Sequence, residues 1–371
     1  MATKKPLVLS SGQLEELQSS DSIHIDAADI VSGTINTSRL ASGTADGTTF
    51  LRGDQVWAVP AGGVTGFIAS QNTTSPNNTV NASRLLVDAG TSNADIVLQP
   101  KGNGAVLAQL PDNSTTGGQK RAAHAVDLQT YRSNSYDVAY GQYSVVSGGN
   151  SNRASNHYAV VVGGHNNNSS GTGAVSGGGY NTTSGTYGAS FGYGNNNSGF
   201  QSTAFGQYNT ITNSGCLTVG AFNVDYGSTS YLFGQNHQNN ANYNFLIGYF
   251  AKGDQQHVFS QSSGANASAG DSQGQMKVLR QLTNDTTPRR LTTTGNQYAF
   301  GSFQWNQIAI YPGEVMAFSA MICAKRTGAN NLSAGWNIEG VIDNNGGTTA
   351  FVGTPIVNTL GDDSGLSLIH I

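Results

Sequence analysis

Ala189-Ser190-Phe191-Gly192 and, one period later, Thr203-Ala204-Phe205-Gly206 are two copies of one pattern, a short β-prone run that ends at a glycine. The pattern occurs eight times, and its glycines are Gly148, Gly163, Gly177, Gly192, Gly206, Gly220, Gly234 and Gly248. Their spacings along the chain are 15, 14, 15, 14, 14, 14 and 14 residues. A period this regular predicts a repeat architecture, in which each copy contributes one structural unit.

The residues between the copies indicate what kind of repeat this is. Each run is followed by a stretch rich in Asn and Ser, such as Asn195-Asn196-Asn197, and Gly and Asn tolerate the positive φ of tight corners. No proline occurs between Pro111 and Pro288, as expected where every backbone N–H bonds a neighbouring strand. We therefore predict an all-β fold whose shaft is a parallel β-solenoid, with one turn per copy.

The composition limits the possible functions. The chain has 371 residues, of which 49 are Gly and only 10% are charged, which argues against an ordinary globular enzyme. The net charge of -4 supplies no basic field for nucleic acid, and no apolar run approaches the length of about 20 residues that spans a membrane. We predict no nucleic-acid partner and no membrane insertion.

Cys216 occupies a small-residue position of the repeat, which predicts a buried filler and not a nucleophile.

The residue composition changes along the chain, which predicts a series of domains. Residues 1–65 are polar, and we predict an N-terminal attachment region that orders against a partner. Residues 66–136 are predicted to form a small β-rich neck, residues 137–262 the shaft of eight turns, and residues 263–275 a linker. Residues 276–365 contain short strands separated by turn signals, which predicts an antiparallel β-sandwich at the C-terminal tip.

The last six residues, Leu366-Ser367-Leu368-Ile369-His370-Ile371, do not continue the tip pattern. They resemble the translation of a sequencing-library adapter end. We therefore expect the natural sequence to stop matching at about Gly365 and the tip to be truncated, with a natural short strand as the alternative. A truncated tip would expose an unpaired strand edge.

The apolar residues of the repeat predict self-association. They form a stripe that a single thin coil would leave partly in water: Phe191, Phe205, Phe233 and Ile247. Closed cyclic symmetry buries a stripe of this kind, and three chains about one axis are the usual arrangement in fibres. We expect a homotrimer, with a dimer as the alternative.

The repeat resembles the head repeat of trimeric autotransporter adhesins, which is a left-handed parallel β-roll. Two upstream segments resemble parts of bacteriophage tail fibres: Gly43-Thr44-Ala45-Asp46-Gly47-Thr48-Thr49-Phe50-Leu51-Arg52-Gly53-Asp54-Gln55-Val56-Trp57 and Asp95-Ile96-Val97-Leu98-Gln99-Pro100-Lys101-Gly102-Asn103-Gly104. Together these resemblances imply a trimeric fibre whose N-terminus attaches to a phage tail or baseplate. They also imply a tip that binds a host surface polysaccharide or lipopolysaccharide, in a virion protein assembled in the host cytoplasm.

The chain offers few residues for catalysis or metal binding. Glu occurs only at positions 15, 16, 314 and 339, and the acids of the shaft are Asp137, Asp225 and Asp254. These are far apart in the repeat, so the sequence shows no carboxylate pair for glycoside hydrolysis, and it contains no His-x-His metal pair. We predict no catalytic residue, no metal site and no cofactor.

Two other functions remain as alternatives, a bacterial trimeric surface adhesin and a glycan-depolymerising tailspike. The short apolar stretch at the N-terminus argues against an export signal and so against the adhesin. The candidate receptor contacts, chosen because a distal tip meets the host first, are Tyr311, Arg326 and Trp336. Four further tyrosines could stack sugars on the shaft, although such residues more often pack against turns: Tyr180, Tyr187, Tyr193 and Tyr208.

Overall fold

A computed structural model of the chain describes residues 97–282, 291–293, 308–326 and 332–363, together with six short strands that lie earlier in the sequence. The chain divides into two compact units, Met1–Val97 and Leu98–Ile371. All regular secondary structure in the described residues is β-strand, which confirms the all-β prediction. None of the described segments is a helix long and apolar enough to cross a membrane.

The described parts of the first unit are three antiparallel strand pairs, which are β1 with β2, β3 with β4 and β5 with β6. The strands are β1 (Leu7–Ser10), β2 (Gln13–Glu16), β3 (Phe50–Leu51), β4 (Trp57–Ala58), β5 (Phe67–Gln71) and β6 (Asn81–Leu85). Most of the predicted attachment region lies outside the described residues, so its role stays a prediction.

The second unit contains a coil whose strands form two sheets. The longer sheet contains β7 (Val106–Leu107), β8 (Val126–Asp127), β9 (Val145–Val146), β11 (Val160–His165), β13 (Val175–Gly179), β15 (Ala189–Tyr193), β17 (Thr203–Gln207), β19 (Leu217–Ala221), β21 (Tyr231–Gln235), β23 (Phe245–Tyr249), β25 (Phe259–Ser263) and β26 (Gln273–Met276). The shorter sheet contains β10 (Arg153–Ala154), β12 (Asn168–Ser169), β14 (Thr182–Thr183), β16 (Asn196–Asn197), β18 (Thr210–Ile211), β20 (Val224–Asp225), β22 (Gln238–Asn239) and β24 (Lys252–Gly253). Neighbouring strands are parallel except β26, which runs antiparallel to β25, so the predicted parallel β-solenoid is confirmed.

Strand pairing follows the period read from the sequence. Ala204 in β17 pairs with Ser190 in the preceding turn and with Thr218 in the next one, and the same relation holds along both sheets. Each turn therefore stacks equivalent residues into columns. The long sheet extends beyond the segment predicted as shaft, because β7 and β8 lie within residues 66–136 and β26 begins within residues 263–275.

The glycine column of the coil differs from the sequence prediction in its first three turns. Gly149, Gly164 and Gly178 occupy the column there, in place of Gly148, Gly163 and Gly177, and the five later glycines lie in it as predicted. A β-bulge between Val161 and Gly164 inserts one residue ahead of the column in that turn. In the third turn Gly178 follows Ser176 by two residues, as Gly192 follows Ser190, so there the prediction chose the wrong glycine of the Gly177-Gly178 pair.

The column needs glycine because consecutive turns approach closely there. At Gly206, for example, φ is +110° and an added Cβ would lie 2.0 Å from the carbonyl oxygen of Gly220. Gly148 and Gly163, outside the column, have open space at the same position. Gly177 instead pairs with Phe191 and belongs to a different column.

The interior of the coil is narrow and is filled by small or aliphatic side chains. Two of its clusters are Ala204 with Ile211 and Cys216, and Leu232 with Leu246 and Ala251. Cys216 is buried as predicted, and burial, together with the nearby Asp225 carboxylate, raises the pKa of its thiol to about 12. The thiol is therefore protonated at neutral pH, which agrees with a packing role.

A ladder of buried asparagines runs along the corner between the end of each long strand and the following short strand: Asn152, Asn167, Asn181, Asn195, Asn209 and Asn223. Asn195 shows the pattern, because its Nδ2 donates to Oδ1 of Asn181 and to the carbonyl oxygen of Gly206, both at 2.9 Å. Its Oδ1 accepts from the backbone N–H of Asn209 at 3.0 Å and from Nδ2 of Asn209 at 2.9 Å. The ladder satisfies buried polar groups in every turn that it crosses.

The described residues near the C-terminus form one antiparallel sheet of four strands, β27 (Val315–Lys325), β28 (Ser333–Asn345), β29 (Thr348–Phe351) and β30 (Ile356–Asp362). β28 pairs with each of the other three. The antiparallel strands predicted at the tip are thus present, as one sheet among the described residues. Residues 366–371 lie outside the described residues, so the adapter hypothesis stays a prediction.

Candidate functional site

The outer face of the long sheet carries the apolar stripe that the sequence predicts. One column on this face contains Gly177, Phe191, Phe205, Val219, Phe233 and Ile247. The rings of Phe191 and Phe205 stack with their centroids 5.5 Å apart, and those of Phe245 and Phe259 in the neighbouring column stack at 5.2 Å. Phe205 is still 41% exposed, so the stripe is only partly covered by its own chain.

The outer face of the short sheet is different, because its column is largely polar: Asn168, Thr182, Asn196, Thr210, Val224, Gln238 and Lys252. The two faces belong to the same turns and have the same period. The coil is therefore apolar on one outer face and polar on the other, which suits association through the long sheet alone.

The three predicted receptor contacts differ in their exposure to solvent and in their location. Trp336 is only 3% exposed in the central strand β28, so its ring does not face solvent and this prediction is corrected. The side chains of Ile322 in β27 and Thr359 in β30 lie directly opposite Trp336 on the two neighbouring strands and flank it. Arg326 is exposed immediately after β27, and Tyr311 lines a cleft.

This cleft, of about 470 Å³, lies between the last turns of the coil and the segment before β27. We call it the junction cleft, and it is lined by Asn240, Lys252, Asp254, Tyr311 and Glu314. Lys252 Nζ lies 2.7 Å from Oδ2 of Asp254, and Nδ2 of Asn240 donates to its Oδ1 at 2.6 Å. Burial, and then the carboxylates of Asp254 and Glu314, raise the pKa of Tyr311.

The junction cleft brings together acids that the sequence analysis placed apart. Asp254 belongs to the coil and Glu314 to the tip, and no motif or period relates the two positions. Both carboxylates accept hydrogen bonds, Asp254 as described and Glu314 from the backbone N–H of Tyr311 at 2.8 Å. An ion pair, an amide and a phenol ring in an open cleft suit hydrogen bonding to a hydroxyl-rich ligand.

The four shaft tyrosines fall into two groups. The Tyr187 ring lies near Phe200 at a centroid distance of 6.3 Å, whereas the other three share one patch of rings that includes His165 and Phe222.

Among the described residues, no group of three or more His, Cys, Asp or Glu side chains is arranged to hold a metal ion.

No protein-family model, no curated protein and no solved structure matches this chain.

Proposed function

We propose that the protein is a homotrimeric bacteriophage tail fibre that attaches to the tail or baseplate through its N-terminal region and binds a host surface glycan. In this proposal the coil is the shaft, the C-terminal sheet belongs to the distal tip, and the protein catalyses no reaction. The resemblance of the repeat to adhesin heads and of residues 43–57 and 95–104 to phage fibre segments supports it.

The observation that carries the trimer is the difference between the two outer faces of the coil. A phenylalanine stripe that remains partly exposed along many turns costs free energy in water, at about 25 cal/mol per Å² of apolar surface. Three copies about a common axis would bury it while leaving the polar short sheets in solvent.

Light scattering of the full chain tests this association. We expect a molar mass of three chains for the wild type and a lower mass for the double variant Phe205→Thr with Phe233→Thr, which keeps β-branched residues on the long sheet. Gln238→Thr, on the polar face, is the matched control and should keep the wild-type mass. A monomeric wild type would contradict the trimer.

Binding of the labelled full chain to bacterial cells tests the adsorption function. We expect cells that carry surface polysaccharide or lipopolysaccharide to retain the chain, and cells stripped of these glycans to lose it. An assay for reducing ends on the same glycans separates the depolymerising tailspike, because sustained release of reducing ends would contradict a non-catalytic fibre.

Antibody labelling in electron microscopy separates the phage fibre from the bacterial adhesin. We expect the antibody to decorate the distal tails of virions. Labelling of uninfected bacterial surfaces would instead favour the adhesin.

A further inference from the structure

The patch of rings on the shaft, which we call the tyrosine patch, consists of His165, Tyr180, Tyr193, Tyr208 and Phe222. Its consecutive ring centroids are 4.8, 5.3, 5.5 and 5.2 Å apart, so the patch is continuous over several turns. The first three contacts are edge-on, with interplanar angles of 87°, 63° and 78°, and the last is stacked at 18°. Edge-on contacts leave part of each ring face uncovered.

The three tyrosines remain open to solvent although each lies against two or three other rings. Tyr180 is 51% exposed, Tyr193 is 41% exposed and Tyr208 is 47% exposed. Burial, and then the neighbouring Tyr208 and Tyr180 side chains, raise the pKa of Tyr193, which agrees with hydroxyls that converge on one area. The patch therefore offers ring faces and hydroxyl groups side by side.

The coil does not need tyrosine at these positions. Gln207 takes the position of Tyr193 in the next turn. Asn166 and Asn236 take the corner position of Tyr208 in other turns and adopt φ of 53° and 56°, close to its 53°. A tyrosine at a positive φ is uncommon, because Gly and Asn adopt this conformation more readily. Tyrosines outside the patch, such as Tyr143, Tyr158 and Tyr243, also adopt a positive φ, so this conformation does not by itself mark the patch. Because Gln and Asn fill the positions of Tyr193 and Tyr208 in other turns, the fold does not require tyrosine there.

Two glycines shape the patch. An added Cβ at Gly179 would lie 2.7 Å from His165 and 3.1 Å from Tyr193, and one at Gly194 would lie 2.7 Å from Tyr208. Each glycine thus makes room for a ring from an adjacent turn. Gly173 makes room for Tyr187 in the same way outside the patch, so the pairing of glycine and ring is not unique to it. Within the patch the two glycines let the rings of His165, Tyr193 and Tyr208 come together.

The stretch of chain that forms the patch carries no acidic side chain and no lysine or arginine. The sequence has no Asp, Glu, Lys or Arg from residue 154 to residue 224, and its polar side chains there are those of Asn, Gln, Ser, Thr and Tyr together with His157 and His165. Such a surface does not attract a ligand by net charge. Aromatic faces beside neutral hydrogen-bonding groups match a pyranose, which has an apolar C–H face and hydroxyl groups at its rim.

We propose that the tyrosine patch is a binding site for an uncharged polysaccharide that lies along the shaft. The inference rests on the proposed glycan-binding function and gives it a site separate from the tip. Several weak ring contacts along one polymer would add through effective concentration.

Affinity electrophoresis of the full chain tests the proposal, with gels that contain dextran, yeast mannan or laminarin and a comparison gel that contains polygalacturonate. We expect at least one neutral polysaccharide to retard the wild type, equally at low and high ionic strength because no charge is involved. The double variant Tyr193→Gln with Tyr208→Asn should lose affinity by about tenfold or more. Both new residues already occupy these positions in other turns, so the coil should keep its thermal stability.

The matched control is Tyr249→Gln, a tyrosine outside the patch whose position in the preceding turn is held by Gln235. It should bind as the wild type does. If the chain binds polysaccharide and the double variant binds equally well, the patch proposal is wrong while the glycan-binding function stands.

Two further results would overturn the patch proposal. One is that none of the three neutral polysaccharides retards the wild type. The other is that the double variant has a lower molar mass in light scattering, because the patch would then be a contact between copies of the chain.

Discussion

Two buried aspartates, at the base and in the middle of the coil, lie in opposite electrostatic surroundings. At the base, Oδ2 of Asp127 accepts from Nε of Arg121 at 2.7 Å and from Nη2 of Arg132 at 3.3 Å, and all three side chains are buried. In the middle, Oδ1 of Asp225 accepts from Nδ2 of Asn239 at 2.7 Å and from the N–H of Gly227 at 3.0 Å. The second Asp225 oxygen has no amide or cationic donor among the described residues.

The difference shows that a coil can enclose a carboxylate in two ways. Asp127 is balanced by two guanidinium groups, whereas Asp225 relies on neutral donors, and its burial raises its pKa to about 6. Elsewhere in the middle of the coil, amides perform the same bonding without charge, as the asparagine ladder shows. We therefore expect the same substitution, Asp to Asn, to have opposite effects at the two positions.

The largest effect is expected for Asp127→Asn, which should lower the free energy of unfolding by about 3–5 kcal/mol because it leaves two buried guanidinium groups without a counter-charge. Both carboxylate oxygens of Asp127 accept hydrogen bonds. In either orientation, therefore, the NH2 group of the new asparagine would face a hydrogen-bond donor. Urea unfolding monitored by circular dichroism measures the loss.

Asp254→Asn serves as the control, because the Asp254 ion pair with Lys252 is partly exposed and should contribute no more than about 1 kcal/mol. Equal losses in the two variants would show that the base of the coil is not a buried charge network.

Asp225→Asn should instead raise the free energy of unfolding at pH 7, by about 3 kcal/mol, the amount that corresponds to a pKa raised from 3.8 to about 6. Asn197, two turns earlier, shows that an amide fits, because its Nδ2 donates to the carbonyl oxygens of Ala189 and Ser202 at 3.0 and 2.7 Å. Urea unfolding at a series of pH values measures the gain.

The stability gained by Asp225→Asn should depend on pH, because the Asp225 carboxyl titrates and the amide does not. Between pH 3.8 and about 6 the folded state retains a proton that the unfolded state releases, so wild-type stability falls as pH rises through this interval. The advantage of Asn should be absent below about pH 4 and complete above about pH 6. An advantage that does not change with pH would contradict the assignment to Asp225.

The smallest effect is expected for His237→Asn, which extends the asparagine ladder by one turn. The Nδ1 of His237 accepts from the N–H of Ala251 at 3.0 Å, so Nε2 carries the proton and lies 3.1 Å from the carbonyl oxygen of Phe233. Burial lowers the pKa of His237 below its ordinary value of 6.5. The wild type should therefore lose stability as pH falls below 6.5, and the variant should lose less.

Thermal unfolding at neutral and at mildly acidic pH measures this difference between the wild type and His237→Asn. The two proteins should have similar melting temperatures at neutral pH, where the imidazole is uncharged. A variant that loses as much stability in acid as the wild type would show that folding does not lower the pKa of His237.

Much of the coil could be predicted from the sequence, because the glycine period fixes which residues stack. The apolar stripe and the burial of Cys216 follow from that period and are confirmed. The glycine column was misplaced by one residue in three turns, because Gly148-Gly149, Gly163-Gly164 and Gly177-Gly178 are pairs and the sequence does not show where the bulge lies. Trp336 was chosen for its place near the tip, and the sequence does not show that its ring is buried in β28.

The sequence by itself determined the parallel coil, its period and its apolar face, since a contact between equivalent residues of successive turns recurs at a constant separation. Only the tertiary structure decided which residues meet outside that period. It placed Asp254 beside Tyr311 and Glu314, and it joined Arg121 and Arg132 to Asp127. Such contacts depend on where the chain bulges, reverses or leaves the coil, and a single bulge changes them without altering the repeat that the sequence displays.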